Sequence, residues 1–178
     1  LFDRTVKREK EMLSTAKYVI GRTSWDERVM RVLAPEAKYF TGNELLRAPF
    51  YGVHWQPTTK NNKFTIISII SGGYYKGLEV VYKTARILFE FGFSFEWQVV
   101  GLEANSGFVQ LVEKTESLRA MDLHIVYQGR KDEYVLSEML VNADCYCQVS
   151  HIENSPNSLC EAMLVGMPII ASFVGGTD

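Results

Sequence analysis

The alternation of apolar and polar positions changes character near residue 62. Beyond it, short apolar runs alternate with amphipathic stretches, the pattern of repeated βα units around a parallel sheet. Residues 64–70 form an apolar and β-branched run interrupted only by Ser68, as suits a strand buried on both faces. In 76–91, Leu78, Val81, Tyr82, Ala85, Leu88 and Phe89 recur at three- and four-residue spacing, which gives a helix one apolar face. The same reading predicts strands at 95–100, 123–127, 145–149 and 168–172, with helices at 105–121, 132–142 and 156–165 between them. Five strands and four intervening helices predict an α/β fold, a Rossmann-like parallel sheet with helices on both faces.

Before residue 62 the rhythm is shorter. It predicts a helix over 4–13, a strand over 18–21, a helix over 25–33 and a strand over 38–41. Residues 42–62 carry Pro49 and Pro57, show no sustained period and end on the turn pair Asn61-Asn62. The expected organisation is therefore a tail of a preceding α/β domain (1–45), an interdomain linker (46–62) and a Rossmann-like domain (63–178) truncated at its C-terminal end. The chain starts at Leu1 within a charged helical pattern and stops just after Gly175-Gly176-Thr177, which reads as an excerpt of a longer protein.

Charge and composition narrow the function. A net charge of −2 and a pI near 6.0 provide no basic field for a nucleic-acid backbone, so any phosphate site has to be local. Three cysteines without a Cys-x-x-Cys pair argue against a disulfide framework and a structural zinc, and fit a reducing, cytoplasmic setting. No apolar run approaches the roughly 20 residues needed to span a bilayer. His54 and His124 have no metal-ligand spacing, and Cys145 and Cys147 share a strand face as core thiols.

In an open parallel sheet, ligands bind beyond the carboxyl ends of the strands, so the loops there are the places to search. The first is Ser71-Gly72-Gly73-Tyr74-Tyr75-Lys76-Gly77. Gly72 and Gly73 let backbone approach an anion, the helix start offers amide donors, and Lys76 adds a charge. A tight βα turn with a solvated lysine is the plainer account. The second loop runs from Ser150 through Glu153, Ser155 and Pro156 into a helix holding Asn157, Ser158, Leu159 and Glu161. Ser155 is the expected N-cap and Pro156 the first helical residue, leaving the amides of Asn157, Ser158 and Leu159 for an anion. Glu153 and Glu161 flank that helix start. Either could be solvated, but Glu161 sits among Leu159, Ala162, Leu164 and Val165, where a charge needs a partner or a ligand.

The order Ser-x-x-Glu153, seven intervening residues, Glu161-Ala-Met, then Gly166-Met-Pro-Ile-Ile-Ala and Gly175-Gly176 resembles the donor-site signature of glycosyltransferase family four, of GT-B fold. Lys76-Gly77, Gly101, Gly129, Ala143-Asp144 and the stretches 16–25 and 47–55 are also similar, so the resemblance covers most of the chain. It implies retaining transfer of a hexosyl group from a nucleoside-diphosphate sugar to a glycan or lipid-linked acceptor, in polysaccharide or glycoconjugate synthesis. Residue by residue, it implies that Glu153 contacts the sugar, Glu161 binds ribose hydroxyls, and the amides of Asn157, Ser158 and Leu159 hold the diphosphate and the sugar. Lys76 would neutralise the leaving diphosphate, with no metal or other cofactor. The family's arginine a few residues before that lysine is absent from 71–75. Arg130, on the same sheet edge, is a candidate replacement. Peripheral membrane association through the rest of the protein is a further expectation, nucleic acid is not a partner, and the isolated 178 residues are expected to be inactive. The rival from another class is a non-catalytic nucleotide-binding or partner-docking module of the same fold.

Overall fold

A computed structural model describes residues 2–57 and 63–177. The Asn61-Asn62 turn and residues 58–62 of the expected linker lie outside the described residues. Contacts divide the chain into two units. One comprises Leu1–Leu45, Glu153–Ser155 and Val174–Asp178; the other comprises Leu46–Ile152 and Pro156–Phe173.

The first unit contains α1 (Phe2–Ser14), β1 (Tyr18–Gly21), α2 (Ser24–Leu33) and β2 (Lys38–Thr41), with β1 and β2 parallel and Tyr18 opposite Lys38. A capping box starts α2. The Thr23 hydroxyl accepts from the Asp26 amide, and the Asp26 carboxylate accepts from the Thr23 amide, so two end donors are satisfied reciprocally.

The second unit is built on five parallel strands: β3 (Phe64–Ile69), β4 (Phe95–Val100), β5 (Ile125–Gly129), β6 (Cys145–Gln148) and β7 (Ile169–Ala171), in the order β5-β4-β3-β6-β7. Between them run α3 (Leu78–Glu90), α4 (Gly107–Glu116), α5 (Glu133–Asn142) and α6 (Asn157–Val165). Period-two alternation splits the core. Ile66, Trp97 and Val99 pack with Leu78, Val81 and Tyr82 of α3 and Val109 and Val112 of α4. Ile67, Val100 and Tyr146 pack with Leu136 and Leu140 of α5 and Leu159, Ala162 and Val165 of α6. Buried polar atoms within the sheet are paired, since Ser68 Oγ donates to the Cys147 carbonyl and accepts from Trp97 Nε1.

The larger departures from the sequence reading each follow from a local conformation. The helix expected from residue 76 starts at Leu78, after a 3₁₀ turn over Tyr74–Lys76 and a left-handed Gly77. The helix expected to reach 121 ends at Glu116 on the left-handed Ser117, and a 3₁₀ turn over Ala120–Leu123, closed by a left-handed His124, moves the next strand to Ile125–Gly129. Ahead of the sheet, residues 48–51, which show no periodicity, form a 3₁₀ turn whose Phe50 is wholly buried against α5 and α6. Trp55 fixes the next stretch, its amide donating to the Val165 carbonyl and its indole N–H to the Ala143 carbonyl.

Candidate functional site

The chain leaves β3 toward β4 on one side and leaves β6 toward β7 on the other, although β3 and β6 are adjacent. A crevice at the carboxyl edge follows wherever neighbouring strands send their connections in opposite directions. In this fold the two loops at that edge are those after β3 and β6. They are docked on each other: the His151 amide donates to the Tyr75 carbonyl at 2.8 Å, and Gly77 lies against the Val149 carbonyl. Gly77 has φ of 73°, and a Cβ there would collide with that carbonyl oxygen, so only glycine permits the approach. A side-chain pair reinforces the contact, with His151 Nε2 2.5 Å from Glu79 Oε1.

Lys76 closes the 3₁₀ turn, its amide donating to the Gly73 carbonyl and its ammonium lying 5.3 Å from the centre of the Tyr75 ring. Gly72 is exposed and Gly73 half-buried on the same turn. Arg130 is exposed, immediately after β5.

The start of α6 lies one residue later than the sequence indicates. Pro156 rather than Ser155 is the N-cap, and no side chain caps it. Leu159 is buried and its amide donates to the Pro156 carbonyl, so this donor is engaged within the first turn; Asn157 is exposed and Ser158 half-buried. Ser158 is held from below. Its Oγ is 2.9 Å from the Tyr146 hydroxyl, which is 2.5 Å from Gln148 Oε1, while Gln148 Nε2 donates to Ser150 Oγ. A chain of buried polar groups thus runs up β6 to the helix start.

Glu161, one turn further, is 0% exposed. Its two oxygens accept from Arg47 Nε and Nη2, both at 2.7 Å, a bidentate fork. Hydrogen bonding to Glu161 raises the pKa of Arg47, against the opposing effect of burial. The sequence said that this glutamate needs a partner but offered no way to find one 114 residues upstream, in a stretch without periodicity. The Glu79–His151 pair and the Tyr146–Gln148–Ser158 chain were missed for the same reason: their members are spaced by the fold, not by a repeat.

Glu153 belongs to the other unit and is 8% exposed. Its carbonyl accepts from the Gly176 amide, and Gly175, at φ of 60°, lies so close that a Cβ would strike that oxygen. Next to it, Asn154 is tied to the α2 capping box: Nδ2 donates to Asp26 Oδ2 at 3.0 Å, and Oδ1 accepts from the Thr23 hydroxyl at 2.6 Å. Asp26 also accepts from the Tyr39 hydroxyl. Burial alone would raise the Asp26 pKa, but hydrogen bonds from Tyr39, the Arg22 amide, Asn154 and the Thr23 amide outweigh it and bring it down to about 2.

A cavity of about 830 Å³ lies elsewhere, lined by polar side chains of the sheet and α5 that include Thr65, Glu96, Gln98 and Gln128. It shares no residue with the two loops, and its size alone does not make it the site.

The chain is 28% identical over 105 residues to Protein CapJ of Staphylococcus aureus, an alignment covering 58% of this chain and 26% of that protein. Among solved structures, sucrose-phosphate synthase from Thermosynechococcus elongatus superposes with a TM-score of 0.72 at 19% identity, over 94% of this chain and 43% of that one. Anabaena Alr3699/HepE, in complex with UDP and glucose, superposes with a TM-score of 0.66 at 16% identity, over 90% of this chain and 45% of that one. The chain thus spans about a quarter of the curated relative and less than half of these structures. The parallel five-strand sheet flanked by helices matches the GT-B fold of glycosyltransferase structures. The sequence profile described as Glycosyl transferases group 1 matches residues 53–178, most of the chain, which therefore belongs to that family.

Proposed function

We propose that this chain supplies the donor-binding part of a retaining glycosyltransferase, which moves a hexosyl group from a nucleoside-diphosphate sugar to a glycan or lipid-linked acceptor. The observation that carries the reading is the docking of the β3 and β6 loops at the switch point of the sheet. It sets a lysine-bearing turn beside the strand that feeds α6. Anions are stabilised by such helix starts and by a nearby ammonium.

In this reading Lys76 offsets the negative charge that grows on the departing nucleoside diphosphate, and the α6 start binds its phosphates. Electrostatic stabilisation of this kind supplies a large share of the acceleration in group transfer and makes a metal ion dispensable here. Glu161 receives the ribose hydroxyls, and Glu153 faces the sugar. The UDP and glucose held by the Anabaena relative and the membership of the family support a nucleotide-sugar donor. We place this transfer in polysaccharide or glycoconjugate synthesis, a reading that the similarity to CapJ supports, and in the cytoplasm.

The test is sugar transfer by the full-length protein with Lys76→Ala. The reading expects turnover to fall by about a hundredfold or more, and turnover within a few-fold of wild type would overturn it. The docking-module alternative draws on one observation, that Arg47 already engages both oxygens of Glu161. It predicts no nucleotide-sugar binding at millimolar concentration.

A further inference from the structure

Glu161 is the only acidic side chain in α6, and its carboxylate is paired by a residue outside the two loops at the carboxyl edge of the sheet. The pair is lopsided. The side chain of Arg47 is 43% exposed and that of Glu161 1%, so Arg47 is the member that solvent reaches. Arg47 is itself held in place. Its guanidinium carbon lies 5.0 Å from the centre of the Phe50 ring, Phe50 is wholly buried, and the Phe50 amide donates back to the Arg47 carbonyl. Another charge acting on the guanidinium comes from Glu133 of α5.

From this geometry we propose that Arg47 is a positioning residue for the ribose of the nucleotide. The inference rests on the reading of Glu161 as the ribose ligand. A carboxylate offers about four lone-pair positions, of which the fork uses two, and a guanidinium has five N–H donors, of which the fork uses two. The pair therefore keeps acceptors and donors together, and a cis-diol needs both. Its hydroxyls donate to Glu161 and accept from Arg47. The guanidinium also holds the carboxylate in one plane and supplies the counter-charge that a buried carboxylate requires. A ribose arrives from the exposed Arg47 side, not through the apolar face of α6.

The experiment compares UDP with 2′-deoxy-UDP by calorimetry on the full-length protein, at one pH where both are fully ionised. Variants are Arg47→Ala, Arg47→Lys, which keeps the charge but loses the fork, and Glu161→Gln, with circular-dichroism melting as the control for folding. Wild type is expected to prefer UDP by on the order of tenfold, as a hydrogen bond to a charged group implies. Arg47→Ala and Glu161→Gln both bring the ratio near one, while phosphate-driven binding of both nucleotides persists; Arg47→Lys lies between. A purely structural role for Arg47 would weaken both nucleotides alike. If Glu161→Gln removes the preference and neither Arg47 variant changes it, Arg47 is a structural staple and the inference fails alone. If Glu161→Gln leaves the preference intact, or wild type shows none, the ribose reading itself falls and the inference with it.

Discussion

The two units hold together by different means. In the sheet-bearing unit, two clusters of buried aliphatic and aromatic side chains pack on opposite faces of β3 to β7, and Ser68, buried among them, bonds to both Cys147 and Trp97. Among the described residues of the unit of α1 and α2, the buried side chains are those of Ala34, Asp26 and Glu153, while Tyr18, Ile20, Val32 and Phe40 are exposed. Its joints are polar: the capping box, the Asp26–Tyr39 bond, the Asn154 amide and the Arg22–Glu44 ion pair. The candidate residues divide along the same line, with Lys76, Ser158 and Glu161 anchored in an apolar frame and Glu153 in a hydrogen-bonded one. Apolar burial resists changes of pH, whereas a carboxylate-centred knot does not.

That contrast can be broken most severely at Gly77. Gly77→Ala places a side chain at a left-handed φ and against the Val149 carbonyl, and should destabilise the sheet-bearing unit by about 2 kcal/mol or more, seen as a lower denaturant midpoint. Unchanged stability would mean that the two loops are not docked as described. Next in size, Asp26→Ala removes the acceptor of the knot and one half of the capping box. It should cost about 1–2 kcal/mol, confined to the unit of α1 and α2 in amide hydrogen exchange. Asn154→Ala, which removes one strut of that knot, should cost about 1 kcal/mol.

The pH response sharpens the comparison without a substitution. The Asp26 carboxyl is depressed from 3.8 to about 2 in the folded state, so the stability it contributes is present above about pH 4 and is lost as pH falls from there toward 2. Acid titration followed by hydrogen exchange should loosen the unit of α1 and α2 before the sheet. Simultaneous loss would contradict the division.

Much of this was legible in the sequence, for physical reasons. A strand buried on both faces is largely apolar, which made the strand read at 64–70 plain, and the three- and four-residue spacing from Leu78 to Leu88 follows from packing one helical face. The strand order β5-β4-β3-β6-β7, and with it the switch point, emerged only from the fold, because crossover handedness sets the side on which each helix lies and not which strand comes next. What stayed hidden depends on long-range pairing or on single dihedrals. Arg47 is an unremarkable cation until Phe50 buries beside it and Glu161 faces it. The left-handed Ser117 and His124, which reset two boundaries, are residue types that seldom adopt that conformation, so no glycine flagged them. Pro156 took the N-cap position that Ser155 suited better by type, and Asn154, a neutral loop residue on sequence grounds, is a strut of the knot beside Glu153.

The central claim is that the sheet-bearing unit binds a nucleoside-diphosphate sugar through the α6 start and Glu161. The most direct measurement is ligand-observed NMR of the full-length protein with a panel of nucleoside diphosphates and nucleotide sugars, repeated with Glu161→Ala. The account predicts binding of at least one donor by wild type and its weakening by about tenfold or more in the variant. No binding at millimolar ligand, or binding that Glu161→Ala leaves unchanged, would contradict it.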